Sequence, residues 1–587
     1  METLTRPLAR INLCLPGART DDIGVDSVRF LVYALGALMV FLILPLSRAA
    51  TATGSRGVAA TVQPIATEAA IATFKHGGNA IDAAVAAALT LGVVDGHNSG
   101  IGGGCFFLIR LANGSIIAID GRETAPGAAD RDMFVRNGRA DAELSQRGAL
   151  AIGVPGALAA YDYACRKYGK LSLKDHLLPA ALLAERGFAL DSSYARSLAD
   201  TARELNRFEA SRRIFLRPNR TPFRRGEVLK QQDLAESYRH IAEQGINWFY
   251  RGPFASATET WMKENGGLLT AKDLANYSIK LREPITNTYR GHIIIGFPPP
   301  SSGGIHVAQI LNILEQFDLA HFGPGSADFI HVTTEAMKLA FADRAFWLGD
   351  SDFVSVPQGL ISKEYATRLA ARIHMDRASP VDSHGTPEDA SGNFFGKHTT
   401  HFCTADAAGN WVACTATINT SFGSKVVIPG TGIVMNNEMD DFAIQAGAAN
   451  YFGLVGAEAN SVGPGKRPLS SMSPTFILRD GKPILSVGAA GGPTIISQTL
   501  LAIINTIDFG MPIERALAQP RFHHQWRPDE LKLERKIGRK TIEELTRRGH
   551  QVTPVDTLGA AQAISSEPQG GFTGASDPRL SGAAGGF

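Results

Sequence analysis

The chain has 587 residues, 44% of them hydrophobic and 19% charged, a globular composition with length for a large core or several domains. A formal net charge of +2, without any long run of Lys and Arg, gives no electrostatic footprint for nucleic acid. Five cysteines (Cys14, Cys105, Cys165, Cys403 and Cys414) make no disulfide framework in so long a chain, and no C-x-x-C or paired His/Cys spacing suggests zinc.

The first element is the apolar run Phe30 to Leu46, flanked by Arg29 and by Ala50-Thr51-Ala52, an A-x-A-like cleavage site. Its length falls between a signal-peptide core and a minimal membrane span. Either the segment is removed as a signal peptide, or it stays as an anchor; both place the main body outside the cytoplasm. Residues 1–52 are therefore read as a leader.

"TEAAIATFKHGGNAIDAAVAAALTLGVV" predicts two helices. The first stops at His76-Gly77-Gly78, and the second starts from Asn79 as N-cap with Asp82 in its first turn. The second is alanine-rich nearly all round, so it should be buried against a sheet. "SGIGGGCFFLIRLANGSIIAIDGRETAP" predicts a glycine turn and two strands joined at Asn113-Gly114. The glycines precede a strand, whereas a dinucleotide-binding loop follows one and opens a helix, so that reading is rejected. From Leu150 to Glu283 the pattern is mostly helical, and "IIIGFPPPSSGGIHVAQILNILEQF" then predicts a strand, a turn and an apolar helix. Val381 to His398 is polar and loop-like. His523-His524 resembles a metal pair, but neighbours on a strand point to opposite faces, which favours structural roles.

The linker ends at Thr399. Thr399 to Ala405 and Trp411 to Asn419 alternate as strands around a turn at Asp406 to Asn410. A turn symmetrical about Ala408 sets Thr399 opposite Thr417, with Thr415, Thr417 and Asn419 on one face. It also sets Cys403 opposite Ala413 and Cys414 opposite Phe402, on opposite faces of the hairpin. Threonines on a strand are ordinarily β-propensity. A threonine at a chain start differs, because its α-amine is a base beside its hydroxyl. That amine, with a reference pKa of about 7.7–8.0, suits proton transfer near neutrality. A mid-chain threonine acquires it only by cleavage, here at His398-Thr399.

"TTHF", "TSFG", "MNNEMDDF", "VGPGKRPLSSMSPT", "GAAGGPTII", "PRFHHQW" and "GASDPR" resemble the γ-glutamyltransferases (glutathione hydrolases), and "DGRETAP" and "PPPSSGGIHVAQILNILE" resemble that family's larger subunit. The resemblance runs in consistent order from about Thr61 to the C-terminus. It implies an α+β, N-terminal-nucleophile hydrolase fold, a four-layer αββα sandwich built by two autoprocessed subunits, residues 53–398 and 399–587, that stay associated as a heterodimer. It implies Thr399 as nucleophile, Thr417 as its hydrogen-bonding neighbour, and Gly491 and Gly492 as oxyanion donors. Arg122, Ser470 and Ser471 would hold the substrate α-carboxylate, and Asn419, Glu438 and Asp441 the α-ammonium. The expected substrates are glutathione and related γ-glutamyl amides, with water, amino acids or dipeptides as acceptors; no metal or organic cofactor is implied. Glu438 stands where some members carry Gln, and Phe452, in the lid-like "FAIQAGAANYFGL", where many bacterial members carry Tyr. A glutaryl-type β-lactam acylase of the same superfamily and an inactive cell-surface binding protein are the alternatives. Retention of the ammonium set argues against the first, and retention of Thr399, Arg122 and both glycines against the second.

Overall fold

The computed structural model describes residues 50–387, 400–445, 447–455 and 458–587. The apolar leader segment and the expected cleavage step at His398-Thr399 lie outside the described residues. Among the described residues, no helix is long and apolar enough to cross a membrane.

Two seven-stranded antiparallel sheets form the centre. In chain order their strands are β1 (Ala50–Gly54), β2 (Gly57–Thr61), β3 (Gly104–Arg110), β4 (Ile116–Gly121) and β5 (Lys280–Arg282). There follow β6 (Ile285–Tyr289), β7 (His292–Gly296), β8 (Thr400–Asp406), β9 (Trp411–Thr417) and β10 (Thr475–Arg479). The last four are β11 (Lys482–Ala490), β12 (Ala560–Ser566), β13 (Phe572–Ser576) and β14 (Ala583–Gly586). One sheet has the order β1-β13-β12-β11-β10-β7-β6 and the other β14-β2-β8-β9-β3-β4-β5. Both sheets contain strands from before residue 398 and from after residue 399, so the two expected subunits share one pair of sheets.

Three apolar layers follow from strand alternation. Phe106, Leu108, Cys403, Ala405, Ala413, Phe476 and Ile564 fill the space between the sheets. The opposite faces, with Cys105, Phe107, Phe402, Val412 and Cys414 on one sheet and Ile477, Leu485 and Val487 on the other, each meet a helical layer. Helices α1 (Pro64–Lys75), α2 (Ala80–Val94), α3 (Ala157–Tyr168) and α4 (Leu173–Arg186) belong to the first layer. Helices α5 (Gly303–Leu314), α6 (Ala327–Trp347) and α7 (Thr494–Ile507) belong to the second.

The local signals act as their chemistry requires. Asn79 caps α2 in a reciprocal box with Asp82, and every residue of α2 is buried, as its alanine-rich surface demands. The β8–β9 register runs from Thr400 opposite Ala416 to Ala405 opposite Trp411, with Cys403 opposite Ala413 and Phe402 opposite Cys414, as the symmetrical turn predicts. One expectation is corrected. β9 ends at Thr417, and Asn419 does not continue its face: Asn419 adopts a left-handed backbone, φ 72°, with its N–H donating to Thr417 Oγ1 at 2.7 Å. Asparagine tolerates this conformation, and the bend swings its side chain out of the strand row. The adjacent histidines do take separate partners: His523 lies 3.0 Å from Ser497 Oγ, and His524 3.0 Å from Asp529 Oδ1.

Candidate active site

The site is assembled where β8 begins. Ser486 Oγ on β11 lies 3.2 Å from Cys403 Sγ on β8, and Gly488 lies against the ring of His401. Two residues forward on β11 therefore match two residues back on β8. The exit of β11 carries Gly491 and Gly492 to the end where β8 starts. Both glycines have positive φ, 124° and 65°, and they lead directly into α7, whose N-terminal end favours developing negative charge. At the same end Thr417 closes β9, and Thr400 Oγ1 donates to Asp95 Oδ2 at 2.8 Å, just past the C-terminus of α2. Burial pushes the Asp95 carboxyl up to about 7 against the hydrogen bonds from Thr400 and Asn98.

From Thr417 a polar path leads across the loops. Asn419 Nδ2 donates to Asn437 O at 2.8 Å, and Asn437 precedes the short turn Glu438–Asp441. Arg122, at the exit of β4, reaches this turn from the other side. Its Nη1 pairs with Glu438, its Nη2 with Asp441, and its Nε donates to Pro468 O at 2.9 Å. Arg122, Glu438 and Asp441 are wholly buried. The residues expected to hold opposite ends of a substrate are thus in direct contact with one another.

Ser470 and Ser471 follow on the same loop. Ser470 N–H donates to Pro300 O at 2.7 Å, and Ser471 Oγ accepts from Arg344 Nη2 at 2.8 Å. Arg344 Nε also donates to Ser302 Oγ at 2.9 Å. The lid-like loop is tied down by Tyr451 N–H to Asp440 Oδ2 at 3.2 Å and by Gln525 Nε2 to Phe452 O at 3.1 Å.

Sequence reasoning missed two of these charged groups. Glu123, fully buried, lies 3.6 Å from Arg122 Nη1. It stands beside Arg122 in "DGRETAP", and a carboxylate next to an arginine was the available signal. Arg344, on α6, carries no local signal, because a single arginine in a 21-residue helix reads as a solvated face.

Three carboxyls crowd one guanidinium here. Burial pushes Glu438 up to about 7 despite the Arg122 charge, and pushes Asp441 well above the usual carboxylate range. Glu123 is raised likewise, by burial first and then by the Glu438 charge. Charges this close in low dielectric titrate as a group. Asn419 Oδ1, Glu438 Oε2 and Asp441 Oδ1 are buried acceptors without a hydrogen-bond partner. Such atoms are costly to leave unpaired, and a cationic N–H donor such as an ammonium is the kind of group that suits them.

Two facing sheets between helical layers, with polar groups gathered at one end of the inter-sheet space, define an N-terminal-nucleophile hydrolase fold. The description "Gamma-glutamyltranspeptidase" belongs to the family model that matches residues 66–587. A glutathione hydrolase proenzyme of Escherichia coli K12 is 44% identical over 527 residues, covering 89% of this chain and 90% of the relative. An acylase ACY 1 proenzyme of Pseudomonas sp. strain SE83 is 40% identical over 542 residues, covering 90% and 93%. The crystal structure of a cephalosporin acylase from Bacillus halodurans superposes with a TM-score of 0.84 at 31% identity, covering 92% of this chain and 97% of that one. The chain belongs to the γ-glutamyltranspeptidase family.

Proposed function

We propose that this chain is an exported proenzyme that cleaves itself between His398 and Thr399 and then transfers γ-glutamyl groups from glutathione and related amides to water or to amino acids and dipeptides. The observation that carries the substrate class is the set of unpaired buried oxygens on Asn419, Glu438 and Asp441. They are the residues assigned to the donor ammonium, and a donor lacking that ammonium would leave them unsatisfied.

In this reading the Thr399 hydroxyl gives its proton to its own α-amine as its oxygen attacks the γ-carbonyl. The tetrahedral oxyanion is held by the N–H groups of Gly491 and Gly492, a term worth about 2.7–4 kcal/mol per donor in comparable sites. Collapse expels the amine, cysteinylglycine in the case of glutathione, which takes the proton back. Water or an acceptor amine then attacks the γ-glutamyl-Thr399 ester. Thr417 supports the nucleophile, Arg122 with Ser470 and Ser471 grips the α-carboxylate, and Asn419, Glu438 and Asp441 take the ammonium. Residues 53–398 and 399–587 are the large and small subunits. Export rests on the apolar leader segment Phe30 to Leu46, with release to the periplasm or retention as an anchor.

The acylase similarity makes glutaryl amides the second reading. The test pairs a γ-glutamyl anilide with a glutaryl anilide, with and without glycylglycine, for wild type, Thr399→Ala and Asp441→Ala. Wild type should prefer γ-glutamyl, and glycylglycine should accelerate anilide release where transfer operates. Thr399→Ala should run on a denaturing gel as one uncut, inactive chain. Asp441→Ala should lose about ten- to a hundredfold in kcat/KM on the γ-glutamyl substrate and little on glutaryl. A wild-type preference for glutaryl would replace the first reading with the second.

A further inference from the structure

A second buried polar group lies in the first helical layer. Asp82 in the first turn of α2, Cys165 on α3 and His176 on α4 bring a carboxylate oxygen, a thiol sulfur and an imidazole nitrogen within 4.8 Å of one another, and all three residues are buried. Asp82 Oδ1 accepts from Leu171 N–H at 3.1 Å, and Oδ2 from Asn79 and Lys170 N–H at 2.9 and 2.8 Å. These bonds fix the carboxylate. His176 Nε2, by contrast, sits 3.4 Å from Asp82 Oδ1 without the alignment of a good hydrogen bond.

We propose that Asp82, Cys165 and His176 form a site for a divalent transition metal, with zinc as the ion the donor set fits best. Three observations carry it. Two ligands of one tetrahedral zinc, at about 2.0–2.1 Å from the ion, stand about 3.3–3.4 Å apart, which is the spacing of His176 Nε2 and Asp82 Oδ1. The His176 nitrogen, poorly aligned for hydrogen bonding, lies within 4.8 Å of the other two donors. Thiolate and carboxylate together balance a 2+ ion, so the buried group becomes neutral. Binding forms metal–sulfur, metal–nitrogen and metal–oxygen bonds and releases the Cys165 thiol proton to solvent.

A second trio shows what such a cluster looks like when protein hydrogens already fill it. In His331, Glu335 and His550, Glu335 Oε1 accepts from Lys338 Nζ at 2.9 Å and Oε2 from Ser379 N–H at 2.9 Å. His331 Nδ1 meets His550 Nε2 at 2.7 Å. That group has its own cation.

The ion would tie the N-terminus of α2 to α3 and α4. Asp95, which holds Thr400, lies past the other end of α2, about 20 Å away along a 15-residue helix. The site is therefore remote from the expected chemistry, and its loss should spare turnover.

The full chain is expressed with excess zinc, and separately with cobalt, in wild-type, Cys165→Ser and His176→Gln forms. Elemental analysis should find about one zinc per wild-type chain and about a tenth of that or less in either variant. Cobalt-loaded wild type should show a thiolate-to-cobalt charge-transfer band and the visible bands of tetrahedral cobalt, with γ-glutamyl anilide turnover equal in all three zinc-grown proteins. Wild type without metal and without the cobalt bands overturns the site, and this measurement needs no variant to fold. Metal retained in both variants overturns it equally.

Discussion

Gly488 and His401 face each other across the two sheets so closely that a Cβ on Gly488 would lie 2.3 Å from His401 Cε1. The ring occupies the space a side chain would need, and its Nδ1 lies 2.9 Å from Thr415 Oγ1 on β9. Gly488→Ala must push the ring against β9, two residues from Thr417. Overpacking of this kind costs about 1–3 kcal/mol. The expected result is a lower unfolding midpoint together with reduced kcat, read by thermal denaturation and turnover of a γ-glutamyl anilide. An alanine variant with wild-type stability would mean that the sheets separate more freely than this contact implies.

Arg344 is expected to act through Ser471. Its guanidinium occupies Ser471 Oγ as an acceptor, which turns the Ser471 hydrogen away from Arg344. That orients the hydroxyl for donation, to Ser302 or to an anionic ligand. Arg344→Lys keeps a charge but loses the fork that spans Ser302 and Ser471. Donor KM should rise roughly tenfold with kcat changed less, consistent with loss of one charge-assisted bond. A pure stability defect with unchanged KM would make Arg344 a packing residue alone.

Glu438 should give the enzyme an acid limb. Its carboxyl titrates near pH 7 because burial opposes its charge more than Arg122 favours it. As pH falls through about 7 the group takes a proton and the ammonium loses a charged partner. kcat/KM for γ-glutamyl donors should therefore decline on that side, and Glu438→Gln should flatten the decline. The stability sign is opposite. A carboxyl that holds its proton more tightly folded than unfolded costs the native state stability as pH rises from the ordinary carboxylate range to about 7. Glu438→Gln should accordingly melt higher than wild type at pH 8. An unchanged acid limb in the variant would assign that limb to another group, with Asp95, also near 7, as the next candidate.

Cys403 and Cys414 should never be found bridged. Cys403 points into the inter-sheet layer and Cys414 toward the helices, and their partners across the hairpin are Ala413 and Phe402. Peptide mapping under non-reducing conditions should recover both as free thiols. A Cys403–Cys414 bridge would require a one-residue slip, which reverses every side chain of the strand.

Local periodicity determined a good deal from sequence alone. The Asn79 cap, the buried alanine helix and the hairpin register from Thr400 to Ala405 are legible because each depends on residues a few positions apart. The family motifs carried the family membership and the expected site residues, since recognition needs only their order along the chain. What the tertiary structure decided is which of them touch. Arg122 meets Glu438 across 316 positions and Ser471 meets Arg344 across 127, through loops whose paths no local period encodes. Asn419 leaves its strand, its backbone N–H bonding Thr417 Oγ1 in place of the alternation read from the sequence. Asp82, Cys165 and His176 lie on three different helices, and no ligand spacing in the sequence connects them. Their convergence is set by how α2, α3 and α4 pack, and packing angles follow from the whole buried surface rather than from any one segment.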